Sequence, residues 1–110
     1  MGYVVHKAIV VTSWSTTLIV EAHKKAAEFG CPVTPISESQ INGYQSFLVV
    51  SNGSKYGWAE DKAGEKNRDD FVNWLNEQKN EDGSTSLEWV QVHYGSDDRE
   101  ASIARHAWSK

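Results

Sequence analysis

Residues 86–108 read SLEWVQVHYGSDDREASIARHAW. Two alternating runs flank a polar centre, a pattern that predicts a β-hairpin. With Asp97-Asp98 as a two-residue turn, Val92 pairs with Ile103, Val90 with Arg105 and Tyr94 with Ala101 on one face. The other face pairs Trp89 with His106, Leu87 with Trp108, Gln91 with Ala104 and His93 with Ser102. The Val and Ile face is expected to meet the helices, which leaves Trp89, Trp108, His93 and His106 on the open face of a sheet. A slip of one residue would exchange the two sets.

Upstream of this hairpin, AEDKAGEKNRDDFVNWLNEQK places Phe71, Trp74, Leu75 and Gln78 on one side of a helix with Asn67, and charges over the rest. The helix is expected from residue 62 or 66 to 79, with Asn80 to Ser84 as a loop. Before it, CPVTPISESQINGYQSFLVVS contains Asn42-Gly43 between two strand-like runs, a strong hairpin signal. With those two residues as the turn, Ser46 faces Ser39, Leu48 faces Ser37 and Phe47 lies beside Glu38. Apolar groups on both sides of Phe47 to Val50 indicate an inner strand, and the serines of the first run suit an edge. Neither face is cleanly apolar, so the register is weakly fixed. Asn52-Gly53 offers a further turn.

Residues 3 to 12, YVVHKAIVVT, are rich in β-branched side chains and read as a buried central strand. His6 joins the open face if Val5, Ile9 and Val11 point inward, although Lys7 then shares the inward side. Thr12, Ser13 and Ser15 offer N-cap oxygens for a helix from about 15 to 29 that ends at Gly30. Leu18, Ala22, Ala26 and Phe29 recur on its inner side, and His23, Lys24, Lys25 and Glu28 are expected mainly on the wet side. The resulting order, β-α-β-β-α-β-β over a single domain of residues 1–110, is that of an α+β ferredoxin-like sandwich with one added strand. Both helices are expected on one face of an antiparallel sheet.

Composition narrows the function classes. The formal net charge is −4, and residues 60 to 83 hold eight acidic against four basic groups. The deficit thus sits in and beside the second helix. Duplex nucleic acid is bound chiefly through clustered Lys and Arg, and no such cluster exists here. Single-stranded RNA stacking on Phe47 and Trp89 suffers from the same shortage, because only Lys55 lies near that face. No run of about 18 apolar residues occurs, so no membrane span is expected. The first residues lack the features of a signal peptide, and His6 stands where a myristoylation signal has Ser or Thr. The single cysteine, Cys31, fits a reducing, cytoplasmic setting. After a helix C-terminus its thiol is raised rather than activated.

No motif assigns a chemistry or a cofactor. The four histidines, His6, His23, His93 and His106, lack the HxxxH, HxH or Cys-paired spacing of a zinc site. A metal held by His6, His93 and His106 across three strands is left untested by spacing. The acidic runs at Glu60-Asp61, Asp69-Asp70 and Asp97 to Glu100 lack the alternation of a calcium loop. Nucleophile-elbow, phosphate-loop and dinucleotide signatures are absent.

Two function classes therefore stand. In the first, the chain is a small accessory or inhibitory protein that acts by protein–protein contact. It would self-associate as a homodimer through the face carrying Phe47, Trp89 and Trp108, with the acidic helix offered to a basic partner or serving only as a solvated surface. In the second, it is a small dimeric enzyme or ligand-binding protein, with His6, His93 and His106 as acid-base candidates and Trp89 and Trp108 as apolar walls.

Overall fold

Nine residues, Val5–Ser13, form the central strand β1 of a five-stranded sheet whose neighbouring strands all run antiparallel. The computed structural model describes residues 4–53, 58–80, 82, 84–95 and 100–108. The remaining elements are α1 (Thr16–Glu28), β2 (Ser37–Glu38), β3 (Gln45–Val49), α2 (Ala59–Glu77), β4 (Glu88–Gly95) and β5 (Glu100–His106). The strand order is β2-β3-β1-β4-β5. β1 lies at the centre and β2 at an edge, as the apolar and serine-rich runs indicate. The fold is α+β, and the strand added outside β4 makes the order longer than that of a four-stranded βαββαβ sandwich.

Local chemistry sets the ends of α1. The Ser15 hydroxyl accepts from the Leu18 amide at 3.3 Å, an N-cap bond. At the other end, Cys31 N–H donates to Ala26 O at 2.9 Å and Gly30 N–H to Ala27 O at 3.0 Å. This is a Schellman closure, and it needs the positive φ of 87° that Gly30 adopts without a Cβ penalty. α2 begins earlier than the sequence predicts, at Ala59. Trp58 occupies the N-cap position without a side-chain capping hydrogen bond, so the usual signal is missing, and Glu60 and Asp61 complement the helix dipole instead.

Both helices pack on one side of the sheet. The Phe47 ring lies 5.1 Å from His23 of α1 and 6.4 Å from Phe71 of α2. Around this point Ile9, Val11, Ile19, Ala22, Ala26, Val49, Phe71 and Leu75 are buried, with Leu18, Phe29 and Trp74 packed partly buried against them. His23 is therefore half-buried rather than on the wet side, and its Nε2 donates to the Thr34 carbonyl at 2.8 Å.

The sheet corrects the face assignment of both hairpins. Ser37 pairs with Ser46 and Glu38 with Gln45, so the first turn is two residues longer than Asn42-Gly43 alone. Asn42 and Gly43 still carry the positive φ values, 66° and 70°, that close it. In the second hairpin, Val92 pairs with Ile103, His93 with Ser102 and Tyr94 with Ala101 as expected, and the Asp97-Asp98 turn lies outside the described residues. A bulge then shifts the ladder by one residue, so that Gln91 pairs with Arg105 and Val90 with His106.

The larger correction concerns which side faces inward. Trp89 and Phe47 are each 3% exposed and belong to the core beneath the helices, whereas Ile103 is 64% exposed. Val90 and Val92, expected to meet the helices, are half-buried on the opposite side together with Leu48. An indole buries more apolar surface than a valine or isoleucine, and the polar neighbours Gln91 and Lys7 find partners under α2. Alternation separates the two sets of side chains but does not say which set wins the core.

Candidate functional site

The sequence-predicted site residues divide between the two faces of the sheet. On the helix side lie Phe47, Trp89 and the half-buried His93. On the open side lie His6, whose ring is 5.0 Å from Tyr94, and Trp108, whose ring is 6.1 Å from His106. His6, His93 and His106 therefore do not converge. Among the described residues no group of three or more His, Cys, Asp or Glu side chains is arranged to hold a metal ion. Nor is any helix among them long and apolar enough to cross a membrane.

The open face carries Val10, Thr12, Ser46, Leu48, Val90, Val92, Tyr94 and Ile103, and Trp108 lines a shallow hollow there together with Val10 and Val90. Thr12 and Ser46 hydroxyls bond each other at 2.7 Å, which satisfies this polar pair near the end of β1. Val10, Tyr94, Trp108 and Ile103 are exposed. No helix among the described residues covers them.

On the helix side, a charged cleft of about 240 Å³ opens between α2 and strands β1, β4 and β5. Lys7, only 6% exposed, bonds Glu65 and lies 3.6 Å from Asp61, itself 6% exposed. This resolves the objection that Lys7 raises against an inward-facing strand, since its ammonium is paired within the fold. Beside it, Arg105 Nη2 donates to Asp69 Oδ1 at 2.6 Å and Arg105 Nε donates to Gln91 Oε1 at 2.6 Å. With its oxygen so engaged, Gln91 presents Nε2 to His93 Nε2 at 3.1 Å. An amide nitrogen only donates, so the His93 Nε2 accepts and its proton resides on Nδ1.

Burial holds the His93 pKa below the ordinary 6.5, and the cations Lys7, Arg68 and Arg105 push it the same way. His93 is thus a neutral ring whose Nε2 lone pair is already taken, an arrangement that orders the cleft. Its folded pKa is depressed, so on acidification the unfolded chain takes up a proton before the native ring does. Stability is expected to fall as pH drops through about 6.5, with this contribution fully lost below the native pKa. Thermal melts across that range should show a shallower fall for His93→Gln; parallel slopes would mean that His93 is not the group responsible.

Cys31 is buried, and desolvation raises its thiol to about 11, so it holds no thiolate at neutral pH. Sequence reasoning missed Asp61, Arg68 and Gln91, all buried. Each is polar, lies in a segment read as a solvated or sheet-exposed face, and finds its surroundings only across the tertiary fold. No family model, no curated protein and no solved structure matches the chain.

Proposed function

We propose that this is a small accessory or inhibitory protein that acts by protein–protein contact and pairs with a second copy of itself through the sheet face opposite the helices. One observation carries the reading: that face is apolar and uncovered, with Ile103 64% and Trp108 59% exposed. Patches of this kind mark contact surfaces, and a two-fold axis buries the same patch on both copies. Charge favours the same approach. The acidic residues of α2 lie on the other side of the sheet, and among the described residues Glu88 is the acid beside the apolar face. The arrangement is best described as a ferredoxin-like sandwich extended by β5, and dimerisation through its sheet would leave α2 free to meet a basic partner.

The proposed contact differs from the sequence expectation in its residues. Trp108 remains in it, whereas Phe47 and Trp89 support it from within the core. A second reading, a dimeric enzyme or ligand-binding protein, draws on the His6–Tyr94 and His106–Trp108 ring contacts of the same face.

Sedimentation equilibrium tests the contact. The unsubstituted chain should be a dimer at micromolar concentration, and Ile103→Glu combined with Trp108→Glu should weaken it about thirtyfold or more with helix content unchanged. A monomer at high micromolar concentration overturns the proposal.

A further inference from the structure

Arg68 lies on the inner side of α2 and is 4% exposed. Its guanidinium makes no hydrogen bond and no salt bridge among the described residues, while the acids around it are committed elsewhere. Asp61 and Glu65 hold Lys7, Asp69 holds Arg105, and Asp70 holds Lys66 at 2.8 Å. Burial pulls the Arg68 pKa down, and Asp61 and Glu65 counter this only through space. A guanidinium does not escape by losing its proton. Among the described residues the one buried side-chain N or O atom without a partner is Gln45 Oε1, so the unbonded Arg68 nitrogens are not sealed in the core but open toward the pockets they line, where an anion can reach them.

The space for that anion is present. A cavity of about 520 Å³ lies between residues 30–32 after α1, Asn52 and Gly53 after β3, and the first turns of α2, and Arg68 lines it. The volume is within the range of small-molecule sites. Pro32, Trp58 and Ala63 supply apolar wall, and Asn52 a polar rim. Gly64 keeps the cavity open at the cation. A Cβ there would stand 2.5 Å from Asn52 Nδ2 and 3.2 Å from Arg68 Nη1. Glycine within a helix is a destabilising choice, and here it makes room for the two polar side chains.

We propose that this cavity binds a small organic monocarboxylate, its carboxylate taking the fork of Arg68 and its apolar body lying against Trp58, Pro32 and Ala63. The charge count selects the class. Among the described lining residues Arg68 is the one cation and Glu60 the one acid, which matches a single negative charge better than a phosphate dianion. The planar guanidinium suits a bidentate carboxylate. The site is separate from the open sheet face and does not depend on dimerisation.

The probes are phenylacetate, its neutral twin phenylacetamide, hexanoate and inorganic phosphate, titrated while the Trp58 indole N–H is followed by NMR. A saturable shift with phenylacetate and hexanoate in the millimolar range is expected, with none for the amide. Arg68→Gln, which removes the buried charge and should keep the fold, is expected to bind at least about tenfold more weakly. Gly64→Ala, which crowds the cation without removing it, should also weaken binding and reads the cavity if the first variant does not fold. Equal binding of acid and amide, undiminished binding by Arg68→Gln, tighter binding of phosphate, or no saturable shift with either carboxylate overturns the assignment.

Discussion

Trp89→Ala should destabilise the protein by about 3–5 kcal/mol, the range for removing a large aromatic from a core. Trp89 is 3% exposed and sits among Ile9, Val11, Phe71, Val72 and Leu87, so the lost indole leaves a cavity that rigid strands on either side cannot close. Ile103→Ala serves as the contrast. It lies on the same sheet but is 64% exposed in the single chain, and in the monomer its replacement should change stability by no more than about 0.5 kcal/mol. Urea denaturation at concentrations below dimerisation measures both. Comparable losses for the two would place both side chains in the core and reverse the face assignment described above.

Lys7→Met should cost about 3–5 kcal/mol, because it leaves the Asp61 carboxylate buried beside an apolar side chain. Asp61 is 6% exposed and Lys7 lies 3.6 Å from it, so neither group can turn to water without moving α2 away from β1. The double variant Lys7→Met, Asp61→Leu removes both charges and should regain most of the loss, since a well-packed apolar pair replaces an ion pair at little cost. A double-mutant cycle in urea provides the coupling energy. If the double variant is as unstable as the sum of the singles, the two side chains do not form a unit and Glu65 is the true partner of Lys7.

The sequence made the order of elements legible, along with the central place of β1, the Ser15 cap and the Gly30 stop. These are local signals, written in β-branching, a hydroxyl or a glycine at a helix end. The inward side of β4 was not legible. Val90 and Val92 alternate with Trp89, Gln91 and His93, and hydropathy ranks Gln and His outward. They go inward because Gln91 meets Arg105 and Lys7 meets Asp61, and neither relation has a local mark. The bulge near Gln91 adds a second difficulty. Beyond it the regular alternation is broken, which is how Arg105 comes to face Asp69 rather than the open side.

For the same reasons the candidate sites were only partly visible. Trp108 was expected on the open face and is exposed there, whereas Phe47 and Trp89, expected beside it, are buried on the helix side. Arg68 was hidden among the charges of an acidic helix. Nothing in EKNRDDF separates an arginine that faces solvent from one that is 4% exposed; only the packing of α2 does so.

The central position of β1 also bears on how the chain is made. One flank of β1 pairs with β3, in contacts such as Ile9 with Val49, and the other with β4, from Val5 with Gly95 to Thr12 with Glu88. During synthesis β1 emerges well before β4, so its second edge waits with unsatisfied amides and carbonyls until residues 88–95 have been made. The strand that anchors the finished sheet is thus the one longest exposed to mispairing. Lys7 places a charge within that strand, a feature that disfavours edge-to-edge association, and in the finished fold Asp61 and Glu65 neutralise it.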